Sequence, residues 1–177
     1  WLYLSDRLIQ FPLGLFGVAI ALVALPDLTE QFINQNKKEF NKVFLKGFLS
    51  TFILGLLAGL FYIMLSYQVI QLLFFRGEFT NYDVEMTSLS LVAYSYALPF
   101  ILSSKFFTSV FFAASKTRFV LILGCTSLLI NLVLNYLFIF TYDWGHVGLA
   151  LATTFAAISV WLLAIIFIFR INSNKVS

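Results

Sequence analysis

Apolar residues run through this chain in long uninterrupted blocks. No charge falls within residues 47–75, 86–104, 119–142 or 147–169, and each block exceeds the roughly 18 residues that can cross a hydrocarbon core as a helix. With the charge-free opening segment Leu8–Leu25, the pattern predicts five spans, about 8–25, 43–65, 82–114, 118–141 and 147–169. Residues 27–42 mix Leu28, Phe32, Ile33 and Phe40 with charges and amides, which predicts a short amphipathic helix at the inner interface. Pro12 and Pro99 lie inside the first and third spans; each lacks an N–H and crowds the preceding turn, so each should bend its helix. In the first span, spacing of three and four puts Arg7, Gln10, Gly14, Gly17 and Ala21 on one small and polar stripe, with Phe11, Leu15, Val18 and Leu22 beside it. Gly55 and Gly59 form a small-xxx-small pair in the second span, a pattern that favours close helix contact.

Composition supports this reading, since 61% of the residues are hydrophobic and only 11% are charged, against roughly 25% charged in a soluble domain. The expected fold class is an all-α integral membrane protein, a bundle of five transmembrane helices forming a single membrane domain over 1–177. The chain opens at Trp1 inside a helical pattern, without the basic flank and small-residue cleavage site of a signal peptide, and reads as a fragment of a longer protein. The net charge of +3 follows the membrane rather than a nucleic-acid-binding face. Lys37, Lys38, Lys42 and Lys46 lie in the first loop, Lys116 and Arg118 in the third, and Arg170 and Lys175 in the tail, whereas the second loop has only Arg76 and the fourth no Lys or Arg. The positive-inside rule then puts residue 1 outside and the C-terminus in the cytoplasm.

Candidate chemistry is confined to a few polar groups at membrane depth. Asp6 and Arg7 are adjacent, so on a helix they point about 100° apart and each needs its own partner. They either sit in the outer headgroup layer, with Arg7 snorkelling, or face a wet interior where intramembrane charge is functional. Lys105 lies roughly 16 Å along its helix from Lys116 and should face protein or water, as a counter-ion for Asp6 or for an acid in an absent helix, or as a ligand group. Asn131 and Asn135 share a face of span four and suit interhelical hydrogen bonding or ligand contact. Cys125 reads as a small buried hydrophobe and His146 as a turn residue. No hydrolytic, metal or phosphate-loop motif is present, so an enzyme is not expected. Isolated cations inside an apolar bundle suit passage of a polar anion, and an arginine can grip two phosphate oxygens at once.

The string YLSDRLIQFPLGLFGVAIALVALPDL at 3–28 resembles the signature of the MurJ/MviN lipid II flippases. LLFFRGEF at 72–79, AYSYALPFILSSKFFTSVFFA at 93–113, NLVLN at 131–135 and GHVGLALATT at 145–154 follow in the family's order. AASKTRF after Phe112 departs from the tyrosine and proline common there. The resemblance implies a MATE-like two-lobe transporter fold of which these spans are the second to sixth helices of the second lobe. It also implies a bacterial plasma (inner) membrane location and lipid II, the undecaprenyl-diphosphate-linked disaccharide pentapeptide, as substrate, flipped from the inner to the outer leaflet by alternating access.

Substrate contact is expected at Arg7 and Asp6 by the resemblance, and at Gln10, Lys105, Asn131 and Asn135 by their place in the spans. The expected partners are lipid II, membrane lipids and an N-terminal lobe of the same protein, with no nucleic acid. No cofactor is expected, although an ion or the membrane potential could drive the cycle. The rival readings are a MATE-like or polysaccharide exporter and a non-transporting scaffold of the cell-wall machinery.

Overall fold

The computed structural model describes residues 1–173. Lys175, placed above in the tail, and the side chains of Val18 and Ala21, placed on the stripe and beside it, lie outside the described residues. The elements are α1 (Leu2–Pro12), a π-helical turn (Leu13–Val18), α2 (Ala19–Ile33), α3 (Lys37–Phe74), α4 (Asn81–Ser95), α5 (Leu98–Ala113), α6 (Thr117–Phe140) and α7 (Gly145–Ser173). No strand occurs among the described residues. By length and apolarity α3, α6 and α7 can each cross a membrane, and the bent pairs α1/α2 and α4/α5 can serve as two more crossings.

Both breaks follow from proline chemistry. Pro12 has no N–H to give the Leu8 carbonyl; the helix widens into the π turn beyond it, and the Leu8 oxygen instead accepts the Tyr62 hydroxyl of α3 at 2.9 Å. At the second break α4 and α5 are bent by 47°. The Ala97 N–H turns back to the Tyr94 carbonyl at 2.9 Å, and the Ala93 carbonyl that it would otherwise serve accepts the Thr154 hydroxyl of α7 at 2.8 Å. The neighbouring helices α3 and α7 thus supply the donors that the proline-broken ones lack. Leaving such a carbonyl bare in an apolar interior costs about 1–3 kcal/mol.

The glycine pair of the second span packs directly on the second break. A Cβ at Gly55 would lie 2.5 Å from Pro99 Cα, and one at Gly59 would lie 2.8 Å from the Ser95 carbonyl, the oxygen that Pro99 cannot serve. These glycines continue a buried stripe of α3 that includes Gly47, Thr51, Tyr62, Ser66 and Ile70.

Around α5 the core divides into two zones. At the lysine-rich end Phe106, Phe107, Phe111, Leu28, Ala24, Leu123 and Ala164 form one cluster, with Phe44 and Phe48 stacked on Phe107 at 6.1 and 5.6 Å between centroids. At the opposite end Ile9, Tyr62, Ile70, Val84, Leu91 and Leu98 form the other. α1 is fastened to α4 by Ser5 Oγ donating to the Thr87 carbonyl at 2.8 Å and by Trp1 Nε1 donating to Asp83 at 2.7 Å. Thr80 and Asp83 cap α4 reciprocally. α6 leans on α7, with Leu123 and Phe138 as its buried residues.

Three expectations need correction. Residues 27–42 do not form one interfacial helix: α2 continues past Pro26 to Ile33 because Leu28 is drawn into the core, and a turn at 34–36 leads into α3. α3 runs on to Phe74, beyond the expected end at 65, with a kink where Leu65 leaves helical geometry. Cys125 is exposed on α6 rather than buried. His146 lies in the first turn of α7 with its ring against Trp1, 5.0 Å between centroids.

Candidate functional site

The last complete turn of α1 before Pro12 resolves the problem of two adjacent opposite charges. Asp6 and Arg7 do not pair; Gln10, one turn on, serves both. Its carbonyl oxygen accepts from Arg7 Nη1 at 3.3 Å while its amide nitrogen donates to the Asp6 carboxylate. This is the i,i+3 and i,i+4 geometry that helical neighbours allow. The guanidinium also lies over the Tyr3 ring, 4.9 Å from its centroid.

Arg7 and Gln10 are exposed on a face that continues to Gly14, whereas Asp6 is half-buried. Among the described residues the guanidinium gives one hydrogen bond, to Gln10, so most of its five donors remain for another acceptor. Depth follows from Tyr62, which meets the carbonyl next to Arg7 and stands roughly 24 Å along α3 from Lys46 at 1.5 Å per residue. That level lies toward the far side of a roughly 30 Å hydrocarbon core, and a cation with unfilled donors there needs water, a lipid headgroup or another oxyanion in front of it, because hydrocarbon satisfies neither its charge nor its N–H groups.

From the Asp6 side a polar seam crosses the bundle. Tyr94 of α4 lies within electrostatic reach of Asp6 and beside Thr153 of α7. Thr153 Oγ1 accepts from Asn131 Nδ2 at 3.2 Å, and Asn131 Oδ1 accepts from Asn135 Nδ2 at 2.9 Å. Asn131 therefore joins α6 to α7, and Asn135 braces it from within α6. Lys105 stands apart from this seam, its stem packed against Gly17, with its Cγ 3.7 Å from where a Cβ would be, and its side chain exposed. Gly17 is roughly 15 Å further along the helix than Arg7, and no ion pair joins Lys105 to Asp6 among the described residues.

The structure thus brings Asp6, Arg7 and Gln10 into one hydrogen-bonded unit, sets Asn131 and Asn135 together, and places Lys105 at a second level. It also splits the expected stripe. Gly14 stays on the open face with nothing within 4 Å, while Gly17 is buried against Leu102 and Lys105 of α5. The cause is the π turn over Leu13–Val18, whose wider register turns Gly17 away from the face that carries Arg7 and Gly14. Sequence reasoning missed Tyr62, Tyr94 and Thr153. Tyr62 carried a usable signal, being the one aromatic position in an otherwise small or aliphatic buried stripe of α3.

Comparison with known proteins agrees with this architecture. The family model described as "Lipid II flippase MurJ" matches residues 1–175. A probable lipid II flippase MurJ of Vibrio cholerae is 40% identical over 89% of this chain and 30% of its own length. The corresponding protein of Haemophilus influenzae is 33% identical over 89% of the chain and 31% of its own length. A solved lipid II flippase MurJ in an inward closed conformation superposes with a TM-score of 0.84 at 26% identity, over 94% of this chain and 35% of that one. The chain therefore spans about a third of the length of the proteins it matches. With the helical bundle, its two proline breaks and a family match across nearly every residue, the chain belongs to the MurJ family of lipid II flippases.

Proposed function

We propose that the protein containing this chain moves lipid II from the inner to the outer leaflet of the bacterial inner membrane for peptidoglycan synthesis, as a transporter rather than an enzyme. The observation that carries the reading is the Arg7 guanidinium, held by Gln10 and Tyr3 on an open face of α1 with most of its donors uncommitted. A diphosphate offers the paired oxyanions that such a fork accepts, and the sugar-peptide head remains in water while the polyprenyl tail stays in lipid. Lys105 adds a point charge at a second level, and Asp6 orients Gln10. In this reading the exposed faces of α1 and α5 meet the other lobe across an aqueous path, and rocking of the lobes alternates access. The lysine distribution supports Trp1 outside and the C-terminus in the cytoplasm. The direct test is genetic: the intact gene should restore growth and precursor flipping to a bacterium depleted of its own lipid II flippase. Growth arrest despite normal expression and membrane insertion would count against the assignment.

A further inference from the structure

We infer that Tyr62 is a positioning residue for Arg7, an inference that rests on the transport reading above. The geometry begins with a vacancy. In an unbroken helix the Leu8 carbonyl would accept the N–H of the residue four positions on; that residue is Pro12, which has none. Leu8 directly follows Arg7, so the unserved oxygen belongs to the turn that presents the cation. Tyr62 reaches it from 54 residues away and donates its hydroxyl at 2.9 Å. Tyr62 as a residue is 7% exposed and packs in the cluster with Ile9 and Leu98.

Two features make this contact more than a packing detail. Immediately beyond Pro12 the backbone already adopts the wider π register, so the helix has two hydrogen-bonding patterns available at this point. A Leu8 carbonyl without an outside donor would draw the wider register toward Arg7 to find an N–H, turning the Asp6–Arg7–Gln10 unit on the helix surface. The Tyr62 hydroxyl removes that demand and holds the unit on the open face. Tyr62 also lies one turn from Gly59, whose contact with the Ser95 carbonyl fixes α3 against the second break, so the donor comes from an anchored helix.

The test uses the full-length protein and Tyr62→Phe, which keeps the ring and removes only the hydroxyl. Leu123→Ala, a cavity in the core at the other end, serves as the control for lost stability alone. Tyr62→Phe should weaken lipid II binding roughly fivefold, the equivalent of one part-buried hydrogen bond, and should speed amide exchange across residues 5–11. Leu123→Ala should lower the melting temperature without either effect. Unchanged affinity, unchanged exchange, or both in Tyr62→Phe, or an equal loss of affinity in Leu123→Ala, overturns the inference. An Arg7→Ala variant in the same series separates the two levels of the account. If it binds lipid II like wild type, the transport role of Arg7 fails, and faster exchange in Tyr62→Phe still decides whether the hydroxyl holds the turn. If it loses binding while Tyr62→Phe keeps it, the positioning role fails alone.

Discussion

Replacing Arg7 with alanine in the full-length protein should reduce lipid II transport by between about ten- and a hundredfold, the loss expected when one charged, hydrogen-bonded contact to a substrate is removed. The reason lies in how the side chain is held. Gln10 and the Tyr3 ring fix the guanidinium without consuming most of its donors, so its charge is oriented before substrate arrives and little is lost in ordering it. Arg7→Lys should fall between wild type and alanine, because an ammonium keeps the charge and loses the fork. Folding should survive both changes, since Arg7 is exposed and forms no part of either core cluster. Flipping measured in proteoliposomes, with growth of a depleted strain as a parallel readout, checks this. Wild-type rates for Arg7→Ala would remove the residue from the mechanism.

The second large effect is structural. Gly55→Ala should destabilise the bundle by about 1–3 kcal/mol or more, the range for overpacking a filled interior, because the new methyl would meet Pro99 Cα at 2.5 Å. That contact is backbone at the bend between α4 and α5, so no rotamer change relieves it; the helices must separate. Gly124→Ala supplies the contrast, since nothing lies within 4 Å of its added carbon and alanine is the better helix former. Thermal unfolding in detergent should show a clear drop for the first substitution and none for the second. Equal stability of the two variants would mean that α3 does not pack on the break as described.

How much of this was legible in the sequence depended on whether a residue's effect is local. Pro12 and Pro99 announce their bends because the missing N–H acts within one turn. Gly55 and Gly59 announce a close contact because spacing alone puts them on one face. What the spacing could not give was the identity of the outside donor: Tyr62 serves Leu8 and Thr154 serves Ala93 across the bundle, and only the packing of α3 and α7 brings those hydroxyls within reach.

Burial was likewise hidden. In a membrane protein lipid-facing and core-facing positions are equally apolar, so Cys125 and the long exposed row of α6 look like core residues in the sequence. The split of the Arg7 stripe was illegible for another reason. Counting in threes and fours assumes one helical register, and the π turn after Pro12 breaks it before Gly17. The Asp6–Arg7–Gln10 unit was readable only as three polar neighbours; that the amide of Gln10 bridges the two charged groups, with one hydrogen bond to each, is a fact of rotamers.

The central claim is that the face of α1 carrying Arg7 borders water and substrate rather than acyl chains. Gly14 reports on it most directly, because it lies on that face one turn beyond Gln10 with open space around it. A Gly14→Cys variant of the full-length protein, with Cys125 and any other native cysteine replaced by serine, can be reconstituted in vesicles and challenged with a membrane-impermeant thiol reagent from each side, with and without lipid II. The account predicts modification by the impermeant reagent and slower modification when lipid II is bound. A thiol that only membrane-permeant reagents reach, at a rate indifferent to lipid II, would contradict it.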